Sequence, residues 1–462
     1  MITYQDFEKV RDGGETERMS FVQSVINSHK NSEQYKMAYI ADQYNRHLNV
    51  TIREYQKLLY TVTGKAVPDN YSANFKMACR HFHRFITQEN QFLLGNGVTW
   101  GQEDTDERLG TRRYPFDAQL QEAGIKALWG GCSFGFWNLD HMEVFSILEF
   151  APLYDEEDGS IKAGVRFWQI DSNKPLRATL YELDGFTEYI WKDGDGHVLS
   201  EKRAYILNVR ESEADGVEVY NGENYPTFPI VPLWANSEHQ SELVGLREQI
   251  DCYDLIKSGF ANTVDESSLI YWTIQNAGGM DDVALAEFVE RIRTVHAAAV
   301  EDEGAKAESH TIEAPYQSRE ALLDRLDKDL YRDAMALNTD NIASGAVTAT
   351  QIAAAYEPLN SKCDGYEYCV SDFIDKILLL AGVEDEATFT RSMIVNVSEN
   401  IQTLLLSAQY LSPDYITKKI LAWFGDSDLT EDMLAQMAAD DLGRFSFGSG
   451  ATEEGEEGQE PA

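Results

Sequence analysis

SELVGLREQIDCYDLIKSGFANTVDESS, residues 241–268, and SREALLDRLDKDLYRDAMAL, residues 318–337, decide how this chain is built. In the first, Leu243, Leu246, Ile250, Tyr253, Ile256, Phe260 and Val264 recur every three or four residues, the stripe of one helix face. At the α-helical rise this is a rod of roughly 40 Å. In the second, Leu322, Leu326, Leu330 and Ala334 share a face. The loop NTDNIASGAV, 338–347, follows, with turn formers, small side chains and the conformational freedom of Gly345. Thr348 to Leu380 reads as helix again. Pro358 removes a backbone donor and should kink it, and Gly365 is a second breaker. Two long helices that leave and return around an insert, followed by a small-residue loop, describe a mechanical part rather than a catalytic pocket.

Outward from this stretch, the insert from about 269 to 315 alternates period. Leu269–Ile274, Thr294–Val300 and Ser309–Glu313 are strand-like, with a Gly278-Gly279 turn and a helix over Asp281–Arg293. Upstream, Pro226–Pro232 reads as a linker, and 136–219 as short strands of a small antiparallel sheet. The predicted strands are Phe145–Pro152, Val165–Ile170, Arg177–Leu183, Phe186–Trp191 and Arg203–Val209. Hairpin turns are expected at Asp155–Gly159 and Asp193–Gly196. The first 115 or so residues read as mostly helical, with a break and new cap at His29–Glu33 and a helix over Tyr71–Leu94 that stops at Gly95-Asn96-Gly97. A helix over Phe116–Trp129 is broken by Gly130–Gly135. Downstream of 380, an extended stretch at Ala387–Val397 precedes three short helices, Asn400–Leu411, Pro413–Phe424 and Thr430–Ala439, each opened by Ser, Thr or Asp. Residues 446–462 are Gly/Glu-rich and should be disordered. The fold class is α+β, predominantly helical.

Composition bounds the function. The 462 residues suffice for two or three domains with a sizeable core. With 78 acidic against 39 basic residues, a formal charge of −39, the chain does not grip phosphates, which needs clustered cations. It remains compatible with surrounding DNA without holding it, because a negative wall repels a polyanion. A soluble, salt-adapted surface explains the same charge. The five cysteines, Cys79, Cys132, Cys252, Cys363 and Cys369, form no C-x-x-C pair and read as buried free thiols of a reducing compartment. The N-terminus lacks a signal-peptide pattern, and no run approaches the ~18 apolar residues of a membrane span. The expectation is a protein soluble in the cytoplasm when made, with no membrane partner.

Reaction chemistry is not legible. There is no phosphate loop, since Gly64-Lys65 lacks its upstream glycine. Gly95, Gly97 and Gly101 miss dinucleotide spacing, and H-E-x-x-H and G-x-S-x-G are absent. Asp193–Gly196 is a hairpin turn rather than a calcium loop, because the twelfth position is Ala204. His81 and His83 lie two apart on a helix and cannot share a metal. Cys363 and Cys369 are core thiols, and Trp423 and Phe424 core aromatics. The sequence singles out no catalytic, metal or cofactor-binding residue.

A resemblance to a known family is carried by PIVPLWAN (229–236), SELVGLREQIDCYDLIKSGFANTVDE (241–266) and NIASGAVTATQIAAAYEPL (341–359), in that order and spacing, with LLGNGV (93–98) as a further feature. Together they resemble the portal proteins of tailed bacteriophages, ring-forming proteins at one capsid vertex. The resemblance implies a non-enzymatic dodecamer around a DNA channel used in packaging, head-tail joining and ejection. It implies a wing (1–235, with 351–398 as a long kinked helix returning to it), a stem (236–268 and 319–337) and a clip (269–318). A tunnel loop (338–350), a crown (399–445) and an acidic tail (446–462) complete the layout. Stem packing would use Leu246, Ile250, Tyr253, Leu326 and Leu330. The channel would be lined by Asn341, Ile342, Ala343, Ser344, Gly345, Ala346 and Val347. Implied partners are double-stranded DNA, the large terminase subunit, a head-completion adaptor and the major capsid protein. The clip is short and carries few cations; Arg291, Arg293 and Lys306 are the candidates for the terminase contact. The implied location is the virion, with assembly in the host cytoplasm. The competing readings are an acidic hydrolase with an unrecognised carboxylate or metal site, and another ring-forming virion scaffold.

Overall fold

In the computed structural model, residues 2–60, 64–70, 72–192, 194–212, 216–267, 271–275, 283, 306–310, 316–339, 348–392, 401, 404–407, 410–424 and 433–435 are described. They fall in two compact units, 1–337 with 358–392, and 338–357 with 393–462.

In the first unit, helices α1 (Tyr4–Arg11), α2 (Glu15–Asn31) and α3 (Glu33–Asn45) follow one another. The expected break at His29–Glu33 is there. Ser32 has extended backbone, and its Oγ accepts from Tyr35 N at 3.1 Å, which opens α3. A short helix α4 (Val50–Glu54) and a hairpin, β1 (Leu58–Tyr60) with β2 (Ala66–Pro68), come next. Helix α5 is His81–Leu94, not Tyr71–Leu94 as the sequence reads, and stops at Gly95 as expected. Then come β3 (Val98–Trp100), α6 (Thr105–Leu109) and α7 (Phe116–Gly130).

The sheet region contains more strands than the sequence shows. Strands β4 (Cys132–Asn138), β5 (His141–Ser146), β6 (Phe150–Tyr154), β7 (Ile161–Trp168), β8 (Leu176–Glu182), β9 (Gly185–Lys192), β10 (Asp195–Arg203), β11 (Ile206–Ser212), β12 (Gly216–Glu223) and β13 (Ile230–Trp234) are consecutive. Strands β6 to β10 form an antiparallel meander in sequence order. A separate three-stranded sheet runs β13-β4-β5. The expected breaker at Gly130–Gly135 is therefore largely the central strand β4. Its Gly135 is where the ring of Phe373 packs closely on the sheet: a Cβ there would lie 2.6 Å from Phe373 Cζ. The expected linker at Pro226–Pro232 is in part the edge strand β13, whose Pro232 stands opposite Phe134. An edge tolerates the missing N–H. The predicted strand Phe145–Pro152 is split between β5 and β6, which belong to different sheets.

Two cores result. Helices α1 and α2 cover one face of the meander, with Phe7, Val22, Val25 and Ile26 buried against Leu153, Val165, Leu180 and Tyr189. At the edge of this layer the buried carboxylate of Glu182 faces three cations, Lys202 Nζ at 3.0 Å and Arg11 and Arg18 each at 3.6 Å. The larger core joins α3, α5 and α7, the β13-β4-β5 sheet and, further along the chain, Leu243, Leu246, Ile250, Leu330, Tyr331, Tyr366 and Phe373.

The elements that follow β13 are α8 (Arg247–Ser267), the hairpin β14 (Tyr271–Gln275) with β15 (Lys306–His310), α9 (Tyr316–Asp333), α10 (Ala349–Ala381) and β16 (Ala387–Phe389), which pairs with β3. Helix α8 begins six residues later than the sequence reads. Residues 241–246 are hydrogen-bonded turns, because Ser241 Oγ accepts from Leu243 N and Gly245 takes φ +85°. Helix α9 ends four residues earlier, at a left-handed Met335. Helix α10 contains Pro358 and stops at Gly382, φ +66°, so it does not continue to 398.

The second unit contains the start of α10 and α11 (Pro413–Phe424), opened by Ser412 Oγ accepting from Tyr415 N. The expected insert helix, the strand at 294–300, residues 341–347, most of the other two short C-terminal helices and the tail from 446 lie outside the described residues.

Candidate stem and the anchor at its base

Helices α8 and α9 lie side by side, joined through the insert. Their contacts are both apolar and polar: the rings of Phe260 and Tyr316 meet edge-on at 5.7 Å, and Arg319 donates to Gly259 O and to Thr263 Oγ1 at 2.7 Å. The predicted stripe grades from buried to open. Ile250, Leu246 and Leu330 are buried, Tyr253 and Leu326 half-buried, and Val264 and Leu322 exposed at 44% and 45%. The apolar stripe is thus core at the base of the pair and surface further out.

The opposite flank of α8 carries a polar ladder that sequence reading missed. Asp254, Ser258 and Asn262 are spaced by four, so they share one face of the helix. Each accepts a backbone N–H from an alternate residue of the preceding segment: Cys79 N to Asp254 Oδ1 at 2.8 Å, Met77 N to Ser258 Oγ at 2.9 Å, and Phe75 N to Asn262 Oδ1 at 2.7 Å. The geometry is commensurate. Two extended residues advance about 6.7 Å, and four helical residues about 6.0 Å. The segment therefore runs antiparallel to α8 as an extended strap, which is why residues 72–80 are not helical. Asp254 is fully buried and also accepts from Asn49 Nδ2; burial raises its pKa despite these donors. One turn earlier, Asp251 accepts from Thr51 Oγ1 at 2.8 Å and from the Tyr44 hydroxyl.

Helix α9 is held through its C-terminal half. His81 Nε2 lies 2.8 Å from Asp327 Oδ1, and Arg84 donates to the Tyr331 hydroxyl. His83 instead faces Asn45, so the two histidines point to different partners, as their spacing requires.

Where α9 ends, a buried ionic group joins three stretches of chain. Lys362 Nζ on α10 is 2.8 Å from Glu89 Oε2 on α5 and 2.7 Å from Glu242 Oε2 before α8. Burial pushes Glu89 up to about 7, against the pull of Lys362. Burial also opposes the charge on Lys362, but the two carboxylates outweigh it and raise its pKa. The signal for this group was present in the sequence: Glu89 sits on the α5 face of Phe82, Phe85, Ile86 and Phe92, where a carboxylate needs a partner.

Of the other predicted positions, Lys306 opens β15 opposite Gln275. Arg291, Arg293 and the loop Asn341–Val347 lie outside the described residues. Three cysteines are buried, but Cys252 is exposed and Cys369 half-buried, which corrects the expectation of five buried thiols. Among the described residues no group of three or more His, Cys, Asp or Glu could hold a metal, and no helix is long and apolar enough to cross a membrane. A largely apolar cavity of about 640 Å³ lies between Tyr154, Phe228, Trp234 and Leu379, with Lys162 and Lys376 at its wall.

Residues 26–441 match the model of the phage portal protein family described as SPP1 Gp6-like. The portal protein of Clostridium phage phiCD119 is 24% identical over 322 residues, covering 66% of this chain and 69% of its relative. The portal protein of Bacillus phage SPP1 is 27% identical over 388 residues, covering 77% and 74%. Among solved structures, the neck of an empty gene transfer agent particle matches with a TM-score of 0.46 at 10% identity, covering 75% of this chain and 90% of the other. The neck of the native particle, computed with C12 symmetry, gives 0.43 at 9%, covering 74% and 89%. The family model spans most of the chain, and this protein belongs to the SPP1 Gp6-like family of phage portal proteins.

Proposed function

We propose that copies of this chain close into a ring, a dodecamer in the virion, whose central channel passes double-stranded DNA during packaging and ejection without chemistry of its own. In this reading residues 1–235 form the wing, to which α10 returns. The stem is the α8–α9 pair, the clip is 269–318, the tunnel loop 338–350 and the crown 399–445. The observation that carries it is the α8–α9 pair in a chain of this family: one side is fastened to the wing and the outer part of its apolar stripe is left open, as a rod that meets other copies requires. The formal charge of −39 supports passage without capture. The large terminase subunit at the clip, with Arg291, Arg293 and Lys306 as contacts, would supply the ATP-driven work. A head-completion adaptor and the major capsid protein are the other expected partners.

The loop Asn341–Val347 is the proposed channel lining, because its small side chains leave room for a duplex and every copy repeats any change made there. Gly345→Trp, or lysines at both Ala343 and Ala346, should leave rings intact by size-exclusion chromatography with light scattering, yet sharply lower the DNA protected from nuclease in assembled heads. Intact rings with wild-type protection in both variants would remove the loop from the channel.

A further inference from the structure

The chain leaves its first compact unit after Leu337 and returns at Pro358. Both points are tied to neighbouring residues of one helix. At the exit, Leu337 N donates to Gln88 Oε1 at 2.9 Å, and Gln88 Nε2 donates back to Leu337 O at 3.0 Å. Leu337 itself is buried. At the return, Lys362 reaches Glu89, the residue next to Gln88, together with Glu242, and donates to Ala334 O at 3.3 Å. An ammonium has three protons, and here three acceptors from three stretches of chain surround it: α5, the turn before α8, and the end of α9. Ala334 O belongs to a helix C-terminus, where positive charge is favoured. The side chains of Glu89 and Lys362 are 2% and 15% exposed, so their attraction is little screened. One turn further along α10, the Tyr366 hydroxyl donates to Asn90 Oδ1 at 3.2 Å, which continues the same seam.

We propose that Gln88, Glu89 and Lys362 are positioning residues that pin both ends of segment 338–357 to one place on α5. The segment's start and finish are thereby set by two consecutive residues of a buried helix rather than by the segment itself. For what the segment does, this rests on the portal reading; for the pin, it rests only on the contacts above.

Hydrogen exchange on the full-length chain tests it. Lys362→Met leaves Glu89 and Glu242 facing each other without their cation. Exchange across 334–362 should quicken by about tenfold or more while α7 keeps its protection. Lys362→Arg keeps the charge and should restore most of the protection. The triple variant Glu89→Gln, Glu242→Gln, Lys362→Met removes every buried charge. It should recover the Tm lost in the single variant while exchange at 334–362 stays fast. Unchanged exchange at 334–362 in Lys362→Met, or a rise shared equally by α7, overturns the proposal. Should Lys362→Met fail to fold, Gln88→Leu serves: it removes a neutral pair and must quicken exchange at 334–339, or the pin is absent. Nuclease-protected DNA in heads is read separately. Fast exchange with normal packaging refutes the channel role of the segment while the pin stands, and normal exchange refutes the pin whatever the packaging.

Discussion

Helices α8 and α9 are neighbours of similar length, yet they are fastened in different ways. Helix α8 is gripped along its length, from Asp251 and Asp254 through Ser258 to Asn262, by side chains that take up backbone amides of the strap and hydroxyls of Tyr44 on α3 and Thr51 on α4. Helix α9 touches α8 through Tyr316 and Arg319 and is held by the rest of the unit at its end, where Leu330, Tyr331 and Ala334 are buried, while Tyr316 and Leu322 are 48% and 45% exposed. The difference shows how one apolar period can serve two purposes. Where a polar ladder supplies the second contact, the helix is bound to the strap along its length. Where none does, the outer turns keep an apolar flank for another surface, which in the ring reading is the next copy.

The largest expected effect comes from breaking the grip on α8. Asp254→Ala strips the acceptor from the Cys79 amide and from Asn49, both buried, and should cost about 3–5 kcal/mol in urea denaturation. Ser258→Ala removes one neutral acceptor and should cost about 1–2 kcal/mol. Equal losses in the two variants would mean that the strap is held by its apolar contacts and that the ladder is incidental.

The gradient along α9 gives the next test. Leu330→Ala opens a cavity in a fully buried site and should cost about 3 kcal/mol, whereas Leu322→Ala should cost under about 1 kcal/mol in the isolated chain. Under the ring reading the order changes in the assembly: Leu322→Ala should lower the fraction of rings in light scattering even though it barely moves monomer stability. If Leu322→Ala leaves both unchanged, the outer part of α9 is plain solvated surface.

How much of this was legible depended on whether the cause was local. The start of α3 was, since Ser32 caps its own helix. So were the long helices, the stop at Gly95 and the turns of the meander, because period and turn chemistry lie within a few residues. The helical reading of residues 72–80 failed because the amides of Phe75, Met77 and Cys79 are satisfied by side chains some 180 residues away, at separations of 187, 181 and 175. The apolar residues there look helical, but a backbone with partners elsewhere has no need of its own helix. The Gly130–Gly135 stretch misled for a related reason: Gly135 marks the close packing of the Phe373 ring, not the end of structure. The anchor at Glu89 and Lys362 could be suspected from a carboxylate on an apolar face, but its partner, 273 positions along the chain, could not be chosen from the many cations.

The smallest predicted effect concerns the cap that ends α9. Met335 sits at φ +53°, with Met335 N donating to Arg332 O at 3.1 Å and Ala336 N to Tyr331 O at 3.0 Å. The end of α10 uses the same pair of bonds, Gly382 N to Leu379 O and Val383 N to Leu378 O, but there the left-handed residue is glycine. An L side chain in this conformation costs about 1 kcal/mol, which glycine avoids. Against that, glycine adds freedom to the unfolded chain, worth up to about 1 kcal/mol, and the half-buried Met335 side chain is lost. The terms nearly cancel, so Met335→Gly should shift stability by no more than about 0.5 kcal/mol in either direction. The same substitution at Leu330, inside the helix and in the core, would cost several kcal/mol. A loss above about 1.5 kcal/mol in Met335→Gly would show that the methionine side chain is a packing element at the base of α9, and that this helix end is held by more than the hydrogen bonds of its cap and the contacts of Gln88 and Lys362.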